Sequence, residues 1–105
     1  MINLPENVQK QLVRLLSAQP EVEKVILFGS RARGDAEERS DIDLAVVAPM
    51  ASPRQWLDIV FLLEEADTLL PIDLVRWEEA SAPLQERILV EGKILYERET
   101  EPEFN

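Results

Sequence analysis

The chain has 105 residues, 46% of them hydrophobic, enough for one domain with a modest core. It contains no cysteine and no histidine, which excludes disulfides, thiolate catalysis, imidazole general bases and Cys- or His-ligated metal. Its formal charge of -10, from 21 acidic and 11 basic residues, repels nucleic-acid backbones and anionic membranes alike.

The opening "MINLPENVQKQ" has no cationic stretch followed by an apolar run, so it does not read as a signal peptide. No apolar run approaches the roughly 20 residues of a spanning helix. A soluble, cytoplasmic protein is expected. Residues 5 to 18 predict a helix, with Asn3 or Leu4 before it, Pro5 in its first turn, and Val8, Leu12, Leu15 and Leu16 on one face. "PEVEK" breaks that pattern. "VILF", Val25 to Phe28, is a short apolar run ending in glycine and predicts a buried strand. A loop with a helical turn from Ser30 follows, then a second strand in "IDLAVVA", Ile42 to Ala48.

Ser52 caps a second amphipathic helix with Pro53 next to it, and Trp56, Ile59, Val60, Leu63 and Leu70 mark its apolar face. "IDLVRW", Ile72 to Trp77, predicts a third strand. Ser81 caps a further helix in which Leu84, Ile88 and Leu89 face inward and Gly92 supplies the stop. "KILYE" is the last strand, and "RETEPEFN" reads as a polar, loose tail. The order α-β-β-α-β-α-β predicts an α+β (α/β) domain over residues 1–98, a small mixed sheet of about four strands covered by helices, with a tail at 99–105. Trp56 and Trp77 suit packing better than nucleobase stacking. Tyr96 suits edge packing, or could itself accept a nucleotide.

Side chains alternate along a strand, so Asp41 and Asp43 share one face while Ile42 and Leu44 enter the core. Two adjacent carboxylates repel, and a divalent cation relieves them. Mg²⁺ takes one or two carboxylates together with substrate phosphates. Asp73 lies in another apolar strand, and would join the pair if the two strands were neighbours. The competing account is three solvated acids near strand ends. Gly29 permits close backbone approach, and Ser30 brings a hydroxyl and an amide. A helix starting there would offer free amides to phosphate, although a plain Gly-Ser turn explains the same residues. What raises the pair above chance is the compound pattern: Gly29-Ser30, ten residues, then Asp41-Ile42-Asp43-Leu44.

"FGSRARGDAEERSDIDL" resembles the signature of the minimal nucleotidyltransferases, the smallest members of the DNA polymerase β-like superfamily. The likeness runs through Gly29, Ser30, Arg31, Arg33, Gly34, Ser40, Asp41 and Asp43. Asp73 in "PIDLV" stands where the third carboxylate of the family is expected, and "LQERILVEGKILYE" is similar to its last helix and strand. The resemblance implies the nucleotidyltransferase fold and a Mg²⁺-dependent reaction with ATP. It places Asp41, Asp43 and Asp73 as catalytic metal ligands for two Mg²⁺ ions. Gly29, Ser30, Arg31 and Arg33 become nucleotide-binding residues. It implies a partner as well: a helical HEPN toxin, bound as a hetero-oligomer, that receives AMP on a tyrosine and is thereby neutralised.

Arg31, Arg33 and Arg39 form a basic cluster that either steadies phosphates, meets the partner, or pairs with Asp35, Glu37 and Glu38. Three other functions compete: a module that neutralises a toxin by contact alone, a nucleotidyltransferase acting on a small molecule, and a plain Ca²⁺ or Mg²⁺ site, which leaves the Gly-Ser element unexplained.

Overall fold

A computed structural model of the chain describes residues 2–99. In chain order the elements are α1 (Glu6–Ser17), β1 (Lys24–Phe28), a one-turn helix α2 (Ser30–Arg33), β2 (Ile42–Val47), α3 (Pro53–Leu62), β3 (Ile72–Arg76), α4 (Ala82–Glu91) and β4 (Lys93–Glu97), with 3-10 turns at Leu63–Glu65 and Trp77–Glu79. The expected α+β architecture holds, and the element order matches the expected one apart from α2, which falls where a helical turn from Ser30 was read in the loop.

The four strands form one sheet in the order β3-β2-β1-β4. β1 pairs antiparallel with β2 and with β4, while β2 and β3 run parallel. A parallel neighbour needs a long crossover, and α3 provides it. Alternation along the strands then sorts the side chains. Val25, Leu27, Ile42, Leu44 and Val46 meet Val8, Leu12 and Leu16 of α1 and Ile59 of α3. On the opposite face, Ile26, Phe28 and Ala45 meet Ile88 of α4. Fully buried aliphatic residues such as Leu12, Leu16 and Leu44 stabilise the fold by about 1.5–3 kcal/mol each.

Pro5 directly precedes α1 rather than lying within it, and makes no side-chain cap. The start of α3 is more tightly specified. Ser52 Oγ accepts from the Gln55 amide at 3.1 Å while Gln55 Oε1 accepts from the Ser52 amide at 2.8 Å, a reciprocal capping box with Pro53 at the first helical position. Ser52→Ala is expected to cost about 1 kcal/mol. The melting temperature of this small domain should drop by about 4–8 °C; an unchanged melt would show that the box contributes nothing.

Three further expectations are corrected. The second helix ends at Leu62, so Leu70 lies beyond it, on the approach to β3, where it still packs on the core. Its apolar character is set by tertiary contact rather than by helical period. Leu89 is 70% exposed, because α4 touches the sheet along Leu84 and Ile88 and the next residue is rotated about 100° away. Gly92 does supply the stop of α4, with an extended backbone (φ -67°, ψ 146°). Glycine is needed there for space, since a Cβ would strike the Ile88 carbonyl and the Ile26 side chain.

The last correction concerns Arg98, which opens the stretch "RETEPEFN" read as loose. It is clamped: Nε donates to the Val22 carbonyl (3.0 Å) and Nη2 to those of Ser17 and Gln19 (3.1 and 3.0 Å). Residues 100–105 lie outside the described residues. The tryptophans do pack as expected, Trp56 on the α1/α3 side of the sheet and Trp77 on the α4 side, and Tyr96 packs at the sheet margin. Among the described residues no helix is long and apolar enough to cross a membrane.

Candidate active site

β1 carries the chain to Phe28, and Gly29 turns it at φ 76° and ψ -158°, a conformation that residues with a Cβ resist. Ser30 then opens α2, which closes at Gly34 (φ 86°). Four residues are too few for an appreciable helix dipole. What the turn offers an anion is therefore the Ser30 hydroxyl and local main-chain amides.

Strand register brings the carboxylates to this turn. Phe28 of β1 pairs with Asp43 of β2, and Asp43 pairs in turn with Asp73 of β3. Both aspartates thus share the α4 side of the sheet, with Asp43 next to Gly29 and Asp73 one strand further out. A Cβ on Gly29 would collide with the Asp43 carboxylate, so the glycine is required by closeness as well as by its backbone angle. Asp41 lies two residues ahead of Asp43 and acts on it electrostatically. Asp43 is half-buried, and Asp41 and Asp73 are exposed.

Burial, then Asp73, then Asp41 hold the Asp43 carboxyl above its ordinary value of 3.8, with Arg87 opposing and Glu91 reinforcing the shift. Among the described residues, no three acidic side chains are gathered into a closed metal-binding group. The donor set nonetheless suits Mg²⁺, which needs few carboxylates and completes its shell with water and phosphate oxygens. The repulsion on Asp43 is what a dication would relieve.

The sign of the resulting pH effect follows from proton binding. Between the ordinary and the raised pKa the folded chain holds more protons than the unfolded one, so stability falls as pH rises through that window. In the absence of divalent cations, Asp43→Asn should therefore melt a few degrees above the wild type at neutral pH. That gain should vanish below pH 3.8. A melting difference that ignores pH would contradict a carboxyl held above its ordinary value by burial and then by its acidic neighbours.

The structure gives Arg31 a different task from nucleotide binding. It is 3% exposed, and it donates to the carbonyls of Asn3 (2.9 Å), Glu38 (3.0 Å) and Ser40 (2.9 Å). With its guanidinium occupied in this way, Arg31 sets the path of the loop that leads from Ser30 to Asp41. Arg33 is exposed and pairs with Asp35 (3.2 Å) and Glu91 (3.0 Å), in part the loop pairing that competed with a phosphate role. Arg39 is exposed.

Two residues near the site carried no signal in the loop motif. Glu91 accepts from the Gly29 amide at 3.3 Å, and Arg87, one turn earlier on α4, pairs with it at 3.3 Å. The only trace in sequence was their i,i+4 spacing, which any solvated helix face shows. A cleft of about 310 Å³ lined by Val60, Leu63, Leu70, Ile72 and Leu74 lies on the other face of β3 from Asp73 and is separate from this site.

Two carboxylates from parallel neighbouring strands thus share one face of the sheet, and one of them, Asp43, lies against the Gly-Ser turn. Residues 10–101 match the family described as Polymerase beta, Nucleotidyltransferase, and the chain belongs to that family. It is 30% identical over 102 residues to the protein adenylyltransferase MntA of Shewanella oneidensis, spanning 91% of this chain and 70% of that protein. Its fold is similar to that in a crystal structure of a toxin-antitoxin with AMP-PNP, with a TM-score of 0.69 and 28% identity over 86% of this chain and 73% of the other. A tri-AMPylated Shewanella oneidensis HEPN toxin in complex with MNT antitoxin is also similar, with a TM-score of 0.63 and 26% identity over 87% and 71% of the two chains.

Proposed function

We propose that this chain transfers AMP from ATP to a hydroxyl of a protein partner, a tyrosine of a HEPN toxin, and acts in the cytoplasm as its antitoxin. The observation that carries the reading is the register Phe28–Asp43–Asp73, with Asp43 against the Gly29-Ser30 turn and Asp73 level with it on the next strand. Membership of the nucleotidyltransferase family and 30% identity to a protein adenylyltransferase support it. The acidic surface, with its charge of -10, suits a basic partner.

Asp41 and Asp43 would hold Mg²⁺ on the nucleotide side, and Asp43 with Asp73 on the acceptor side. Bound there, Mg²⁺ supplies charge neutralisation at the reacting phosphorus. Gly29 and Ser30 seat the β- and γ-phosphates, and Arg33 lies close enough to assist once free of Glu91. Asp73, exposed on the outer strand, would take the acceptor's hydroxyl proton. The acceptor oxygen then bonds to the α-phosphorus as the bond to the bridging oxygen breaks, and pyrophosphate leaves. Positioning and electrostatics do most of the work in such a transfer.

The test mixes the purified chain, its co-purified partner, Mg²⁺ and ATP labelled in the adenosine. Intact-mass measurement should show one or more added AMP groups on the partner. A tight complex with no added mass would leave contact-only neutralisation as the function, and label on a small molecule instead would shift the acceptor class.

A further inference from the structure

Glu91 occupies a place the transfer reaction does not explain. Its carboxylate sits where three donors converge: the Gly29 amide and Arg87 Nε, both 3.3 Å from Oε1, and Arg33 Nη1, 3.0 Å from Oε2. Its side chain is only 19% exposed, whereas those of Arg33 and Arg87 are 40% and 54% exposed. An amide beside two guanidiniums is a seat for an anion of two or more oxygens. The Gly29 turn that supplies the amide is also the turn against which Asp43 packs.

Around this turn the chain gathers Asp41, Asp43, Asp73 and Glu91, a field that opposes a polyphosphate. Arg33 and Arg87 are the cations positioned to offset it, and both are engaged by Glu91. We propose that Glu91 is a resident anion that holds the phosphate seat closed, and that Arg87 is a phosphate-binding residue released when the triphosphate displaces it. This rests on the nucleotide-transfer reading above and adds to it a residue that sets nucleotide affinity.

The chemistry of the exchange is balanced. A carboxylate on a helix's last turn gives up three hydrogen bonds and turns to water, and phosphate oxygens of higher charge accept from the same donors. No bond other than hydrogen bonds changes. Because Glu91 is tethered, it competes at high effective concentration. A partly exposed contact of this kind reduces the competent fraction to about one in five. Removing the competitor should therefore tighten nucleotide binding about fivefold.

The experiment is calorimetric titration of the full chain with Mg²⁺ and a non-hydrolysable ATP analogue, so no turnover is needed. Glu91→Gln should bind about fivefold more tightly than the wild type. Adding Arg87→Gln to that variant should remove the part of the gain that Arg87 supplies and leave only what the freed Arg33 adds, which a mere brace for the turn would not do. Glu91→Asp, whose shorter side chain cannot span all three donors, keeps the test decisive should Glu91→Gln fold poorly, and it too should bind more tightly. Equal or weaker binding by the Glu91 variants, with the wild type binding normally, would overturn the proposal alone. Absence of binding by every form would overturn it together with the nucleotide reading.

Discussion

Asp43→Ala is expected to reduce AMP transfer on the order of a thousandfold while leaving the fold intact. Asp43 is the one carboxylate that touches every part of the site: it packs on the Gly29 turn, pairs in register with Asp73, and follows Asp41 on the same face. Charge stabilisation by a held cation contributes several kcal/mol to such a reaction, and about 4 kcal/mol corresponds to three orders of magnitude in rate. The fold survives because the lost group is half-buried and repelled by its neighbours, so its removal relieves strain rather than opening a cavity in the core. Initial rates of label transfer, set beside thermal melts, decide the matter. Wild-type rates in this variant would mean that the reaction is held elsewhere.

Arg31→Ala should act in the opposite way, through stability first. Its guanidinium is buried and donates to three carbonyls from three places in the chain, Asn3, Glu38 and Ser40. The backbone replies through the Asn3 amide, which donates to the Arg31 carbonyl at 2.8 Å. Hydrogen bonds from a charged group contribute about 1.5–3 kcal/mol each when their loss leaves partners unsatisfied. Even with partial rehydration the variant should lose about 3 kcal/mol or more, a fall of roughly 12 °C or more in melting temperature. Arg31→Lys should not restore it, since one ammonium cannot match a planar fork that reaches three acceptors. Amide exchange should quicken across residues 35–40, and Asp41 should lose its fixed place. A variant that melts with the wild type would remove Arg31 from the architecture of the loop.

Much of the molecule was legible before any coordinates. Ser52 followed by Pro53 announced a helix start by local capping alone, and the same logic found Ser81. Alternation in "DIDL" put Asp41 and Asp43 on one face, because a strand has only two. The compound spacing from Gly29-Ser30 to Asp41 pointed to the nucleotidyltransferase family, to which the chain belongs. These features are local: each depends on residues within a dozen positions of one another.

The misreadings share a different origin. Leu70 and Leu89 kept the helical period yet did not follow it, because the length of α3 and the narrow contact of α4 are decided by what each helix packs against. Arg31 looked like a phosphate ligand, and Arg98 like part of a loose tail. Both are buried donors to distant carbonyls, and nothing in a sequence says which carbonyls will be near.

By itself, then, the amino-acid order determined the elements, the caps, the shared face of Asp41 and Asp43, and the glycine-serine bend, all through short-range sterics and hydrogen bonding. Only the tertiary structure decided that β3 lies parallel beside β2 with Asp73 level with Asp43, and that Glu91 of α4 reaches the Gly29 amide from 62 residues away. Strand register and helix docking are settled by burying two apolar faces at once, a condition on the whole chain that no single segment contains.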